Sequence, residues 1–197
     1  MLRLPELNDR TFSALWPACV GALAALYAGV GDGAWTRRSA IGWMMGAWGA
    51  RLAVQAFYTR ASGVPDLPTL PLRPSYFRVL TLSLFFSLPA LLASRNGEPV
   101  LSFIEIVAGA LWVIAFTGET TADRQYFRFT SIAGKTGLPC RTGLWKIIPH
   151  AHEVFEVLLW TSLALFASAS PWGWVTFACP AVVIVHLIAI ARRAPAA

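Results

Sequence analysis

Residues 119–160 read ETTADRQYFRFTSIAGKTGLPCRTGLWKIIPHAHEVFEVLLW, and the fold follows from what lies on either side of them. The stretch holds two of the three histidines in the chain, His150 and His152, together with Glu119, Asp123, Glu153 and Glu156. A largely apolar block precedes it at 100–117, and another begins within it and runs over 153–169. About 20 apolar residues cross a hydrocarbon core as helix. A polar segment between two such blocks therefore reads as the connection between two membrane spans.

Working outward, apolar blocks recur at 12–30, 39–58, 76–94, 100–117, 153–169 and 172–191, with 118–152 as the polar segment. Their breaks are turn-forming: Gly31-Asp32-Gly33, a connector with Pro65, Pro68, Pro71 and Pro74, Arg95 to Pro99, and Ser170-Pro171. The spacing predicts an all-α, polytopic membrane bundle of about six transmembrane helices, forming a single domain over 197 residues. Closed barrels are the other way to span a membrane, and no period-two alternation is present. Composition agrees, with 56% hydrophobic and 13% charged residues, against roughly 25% charged in a soluble domain.

Charge sets the orientation. With six spans, one side receives Arg3, Arg10, Arg60, Arg73, Arg78, Arg124, Arg128, Lys135, Arg141, Lys146, Arg192 and Arg193, and the other only Arg37, Arg38 and Arg95. That bias puts both termini and the 118–152 segment in the cytoplasm. The expected location is a multi-pass protein of a bacterial inner (cytoplasmic) membrane. The net charge of +6 is then a topology signal, and no nucleic-acid partner is implied. Glu6 and Asp9 in the leading segment speak against a cleaved signal peptide and predict a retained first span. Cys19, Cys140 and Cys179 show neither zinc spacing nor a disulfide framework.

Charges within the spans are candidates for function. Arg51 falls nine residues before Arg60, and Gln55 and Tyr58 share its helix face. It reads either as a structural pair or as an anion contact at the foot of a cytoplasm-open cavity. Glu105 reads as solvated or paired with Arg95, and His186 as a packing residue. Glu119 and Asp123 lie on one face if the fourth span continues as helix. Gly134-Lys135-Thr136-Gly137 lacks the full phosphate-loop pattern and no strand precedes it. His152, Glu153 and Glu156 have metal-compatible spacings, so a single carboxylate-rich metal site stays open, although no metal ligand is assigned.

Several separated motifs then occur in a recognisable order. They are Trp48, Gly49, Arg51, Leu52 and Arg60; Glu119, Asp123 and Gln125; Gly143, Leu144, Trp145 and Lys146; His150; and Glu156 with Trp160. This order resembles the steroid 5-alpha-reductase-like family of membrane proteins, part of a wider group with the isoprenylcysteine and phospholipid methyltransferases. The resemblance implies an NADPH-dependent reductase acting on a carbon–carbon double bond of a steroid or other lipid. It implies cofactor contacts from Arg51, Glu119, Asp123, Gln125, Trp145, Lys146, His150 and Glu156, and leaves His152 and Glu153 as the candidate catalytic proton donors. The expected partner is a membrane lipid or lipid-like substrate.

The pattern also departs from that family. Its R-H-P-N-Y-[FW]-G-E signature is replaced here by Pro149, His150, Ala151, His152, Glu153, Val154, Phe155 and Glu156. The cytoplasmic tail that closes the cofactor cavity in relatives has no counterpart after Arg193. A second reading therefore stands beside the first, a non-catalytic lipid-binding module or subunit of a membrane complex with a protein partner. A methyltransferase using S-adenosylmethionine is a further alternative.

Overall fold

The structure, a computed structural model, describes residues 9–62, 75–132 and 140–192. The Pro-rich connector and the Gly134–Gly137 loop lie outside these residues. Within them every regular element is a helix and no strand occurs. The chain divides into two compact units, Met1–Pro99 and Val100–Ala197.

The first unit is built on α1 (Asp9–Val30) and α2 (Trp35–Ser62), packed along their lengths, with α3 (Tyr76–Phe86) and α4 (Leu88–Ala93) against them. Small residues let the two long helices approach closely: a methyl group added at Gly49 would lie 2.5 Å from the Pro17 carbonyl oxygen. Without a hydrophobic driving force between helices in lipid, such van der Waals contact is a main source of association. Around it, Trp16 meets Trp48 and Phe86 with ring centroids 5.5 Å apart in each case. At one end the turn between α1 and α2 is tied by backbone bonds: Gly33 N–H donates to Ser94 O and Ala34 N–H to Asn96 O, both at 2.9 Å. The buried Arg37 guanidinium donates to the Glu98 carbonyl.

In the second unit, α5 (Phe103–Thr130) lies along α7 (Ala151–Ser168), with the short α6 (Leu144–Ile147) docked on α5. A 3-10 turn, Gly173–Phe177, returns the chain into α8 (Ala178–Ala191), and both pack on α7. Ser102 and Glu105 close a reciprocal capping box at the start of α5, Glu105 Oε2 accepting from Ser102 N–H at 2.7 Å. Glu105 is thus an inward-turned capping residue, a role its sequence position did not suggest.

Two helical stretches, Thr11–Val30 and Phe103–Thr130, are long and apolar enough to cross a membrane. Only 22% of each apolar window is buried within the structure, unlike the core helix of a soluble protein. Ile106, Val113 and Ile114 on α5 are among the large side chains turned outward. This pattern suggests a membrane protein. The other expected spans do not pass the same test, for local reasons. Arg37, Arg38 and Arg51 lie within α2. The third block is interrupted at Ser87, where Pro89 has no N–H for the helix ladder. The last block opens as a 3-10 turn.

A buried acid–histidine site at the polar ends of α5 and α7

The fourth apolar block continues as one helix well past its apolar part, so Glu119, Asp123 and Gln125 all sit on α5. Glu119 and Asp123 are one turn apart on the same face and both are buried. Opposite them, α7 begins at Ala151, and its first two turns carry His152 and Glu156 four residues apart. His152 Nδ1–H donates to Asp123 Oδ1 at 2.6 Å. Its Nε2 lies 3.9 Å from Glu156 Oε2, beyond direct hydrogen-bonding distance.

Two local devices bring the helices to this register. Phe155 stands where the resembled family carries Gly, and it lies over Gly118: a methyl group there would come within 2.3 Å of its ring. The missing side chain on α5 is thus the space that the large side chain on α7 fills. The second device is α6. Gln125 Oε1 accepts from Leu144 N–H at 2.8 Å, Trp145 Nε1–H donates to Ala122 O at 3.0 Å, and the Tyr126 and Trp145 rings sit 5.6 Å apart. Gly143 precedes α6 at φ +57, and a Cβ there would strike the Gln125 amide at 2.5 Å. This position suits glycine on both counts.

Electrostatically the site favours a stored proton. Burial works against a charged His152 ring. The hydrogen bond and negative charge of Asp123 outweigh it, with Glu156 and Glu119 adding in the same sense, and the pKa rises from 6.5 to about 9. At neutral pH the ring is an imidazolium held by carboxylates.

Glu119, Asp123 and His152 also offer ligand atoms within 4.8 Å of one another, a set with the composition of a metal site. The 2.6 Å separation of His152 Nδ1 and Asp123 Oδ1 is that of a hydrogen bond. Two ligands on one ion, each bonded at about 2.0–2.2 Å, ordinarily stand farther apart. As arranged, the pair shares a proton, and a metal ion would have to displace it.

The structure therefore brings together four of the residues picked out in the sequence: Glu119, Asp123, His152 and Glu156. His150 and Glu153 form a separate outer pair, His150 Nδ1 lying 2.9 Å from Glu153 Oε2. His150 precedes α7 in a left-handed conformation, φ 56. Gln125 and Trp145 are engaged in docking α6, and Lys146 is exposed. Arg51 belongs to the first unit. The sequence reading missed Gly118. Its signal lies only in the partner across the helix pair, Phe155, which a linear pattern does not display.

An all-helical chain with outward-facing apolar helices and a charged, buried site at their polar ends defines a membrane-type helical protein. The chain belongs to the DUF1295 family, described as a protein of unknown function, whose model matches residues 74–193. That family is associated with steroid 5-alpha-reductase-like membrane proteins. The matched stretch contains the whole acid–histidine site and begins after Arg51. No curated protein and no solved structure matches the chain.

Proposed function

We propose that the chain is an integral membrane reductase that saturates a carbon–carbon double bond conjugated to a ketone in a steroid or other lipid. It does so as a six-span protein of a bacterial inner membrane with cytoplasmic termini, and His152 is its proton donor. One observation carries the reading: a charged imidazole is held against a buried carboxylate where α5 and α7 meet at their polar ends. Reduction of an enone develops negative charge on the ketone oxygen, and a positioned acid is what that charge requires. Asp123 fixes the ring through Nδ1 and leaves Nε2 as the donating position. Glu119 and Glu156 keep the ring charged. Glu153, the other candidate donor, is engaged with His150.

NADPH, when bound, supplies the hydride. The residues present fit it on one side only. Lys146, Arg141, Arg124 and Arg128 are exposed cations of the same unit and suit its phosphates. Glu119, Asp123 and Glu156 would repel phosphates, so in this reading they serve His152 and do not hold the cofactor. Lys146, within α6, and Arg141, just before it, take the phosphate role in this unit.

The second reading, a non-catalytic lipid-binding module or complex subunit, is favoured by one specific observation. Gln125 and Trp145, both expected at the cofactor, are committed to docking α6. NADPH titration of the purified protein in lipid nanodiscs separates the two. The reductase reading expects saturable binding, weakened about tenfold or more in Arg141→Ala and Lys146→Ala, in line with the loss of charge-assisted hydrogen bonds. Absence of binding, with a defined protein or lipid co-purifying in native mass spectrometry, would establish the second.

A further inference from the structure

A buried acid that gives up a proton in every turnover needs a way to regain it. The His152 side chain, between two packed helices, is only 17% exposed. The start of α7 offers a route, because titratable groups of graded exposure follow one another there. The side chains of His150 and Glu153 are 72% and 36% exposed, Glu156 is 24% and His152 17% exposed, and Asp123 is 5% exposed. Two hydrogen-bond distances and one longer approach join this series. His150 Nδ1 is 2.9 Å from Glu153 Oε2, Glu156 Oε2 is 3.9 Å from His152 Nε2, and His152 Nδ1 is 2.6 Å from Asp123 Oδ1. The remaining step, Glu153 to Glu156, is three residues along one helix. Side chains so spaced are surface neighbours about 5–6 Å apart at Cβ, a gap that one bridging water spans.

We propose that His150, Glu153 and Glu156 form a proton path from solvent to His152. The inference rests on His152 acting as the donor. After the imidazolium has released its Nε2 proton, the Glu156 carboxylate takes up a proton and passes it to Nε2 through a water spanning the 3.9 Å gap, returning to a carboxylate. That proton reaches Glu156 through water from Glu153, Glu153 receives it from the His150 ring beside it, and His150 takes it from bulk solvent. Each step moves one proton, no electron is transferred, and the net input is one proton from water. Glu153 and Glu156 thus act through His152 and do not contact substrate. The charged and titratable groups facing His152 are Glu119 and Asp123 on α5 and Glu156 on α7.

The test reads proton exchange directly and uses no substrate or cofactor. The full chain, labelled with 15N-histidine in lipid bilayers, gives three imidazole signals that solid-state NMR can assign with His150→Asn and His186→Asn. The rate at which the His152 ring N–H exchanges with water is compared across variants, with His186 as internal reference in His150→Asn and Glu156→Gln. The path predicts exchange at His152 slowed on the order of tenfold or more in Glu156→Gln and Glu153→Gln, the kind of factor seen when a positioned proton donor is removed. His150→Asn alters only an exposed side chain and should slow it too, with the His186 signal unchanged. Exchange at His152 as fast in His150→Asn and Glu156→Gln as in the wild type would overturn the proposal. Because NADPH binding is measured separately, a path found in a protein that binds no NADPH would refute the reductase and leave the path standing.

Discussion

At His152 two effects of opposite sign meet, and the carboxylates win. Its pKa rises from 6.5 to about 9. The folded chain therefore holds a proton that the unfolded chain releases. That contribution to stability is complete below pH 6.5 and is lost as the pH rises through about 9. Its upper bound, on the scale of 1.36 kcal/mol per pH unit, is about 3 kcal/mol. The melting temperature of the wild type should fall between pH 6.5 and 9, and Asp123→Asn should start lower and stay nearly flat across that window. A wild-type profile already flat there would remove the stored proton. The identities of these residues were readable in sequence, but their partnership was not. His152 and Asp123 are 29 positions apart. The spacing showed only the local pairs, Glu119 with Asp123 and His152 with Glu156, because i,i+4 neighbours share a helix face whatever the tertiary fold.

At the scale of elements, the site depends on how closely α5 and α7 approach, and Gly118 and Phe155 set that approach. Gly118→Ala should destabilise the protein by about 1–3 kcal/mol, the usual penalty of overpacking. Phe155→Ala alone should also destabilise it, by leaving a cavity. The double variant should lose less than the sum of the two, because the residues touch. Thermal or denaturant unfolding of the four proteins in one detergent decides it, and strict additivity would mean the contact does not govern the packing. The positions of the apolar blocks gave the helices well. What the sequence could not show was their ends. Charge suggested that the fourth span stops near Thr117, whereas α5 runs to Thr130, because its polar final turns face α6 and α7 instead of a lipid boundary. The interruption at Ser87 was foreshadowed only by Pro89.

For the whole molecule, the all-helical character was legible from composition and block length, since both report directly on the solvent each face meets. The number of spans is a separate matter: Thr11–Val30 and Phe103–Thr130 pass on length and hydropathy, while the remaining helices are interrupted or carry charge. The six-span orientation makes a direct prediction. In a variant lacking Cys19, Cys140 and Cys179, a cysteine at exposed Arg141 (Arg141→Cys) should react with an impermeant thiol reagent only from the cytoplasmic side. One at exposed Gly97 (Gly97→Cys) should react only from the opposite side. Labelling of both from one side would break the topology. The central claim concerns chemistry, and one measurement reaches it. The purified protein in lipid nanodiscs is given NADPH deuterated at the transferable position and a panel of 3-keto-Δ4 steroids and isoprenoid enones, with products read by mass spectrometry. The account predicts a saturated ketone carrying one deuterium at the β-carbon, formed about 100-fold more slowly or worse by His152→Gln, with NADPH binding retained. No saturated product from the wild type, or an equal rate in His152→Gln, would contradict it.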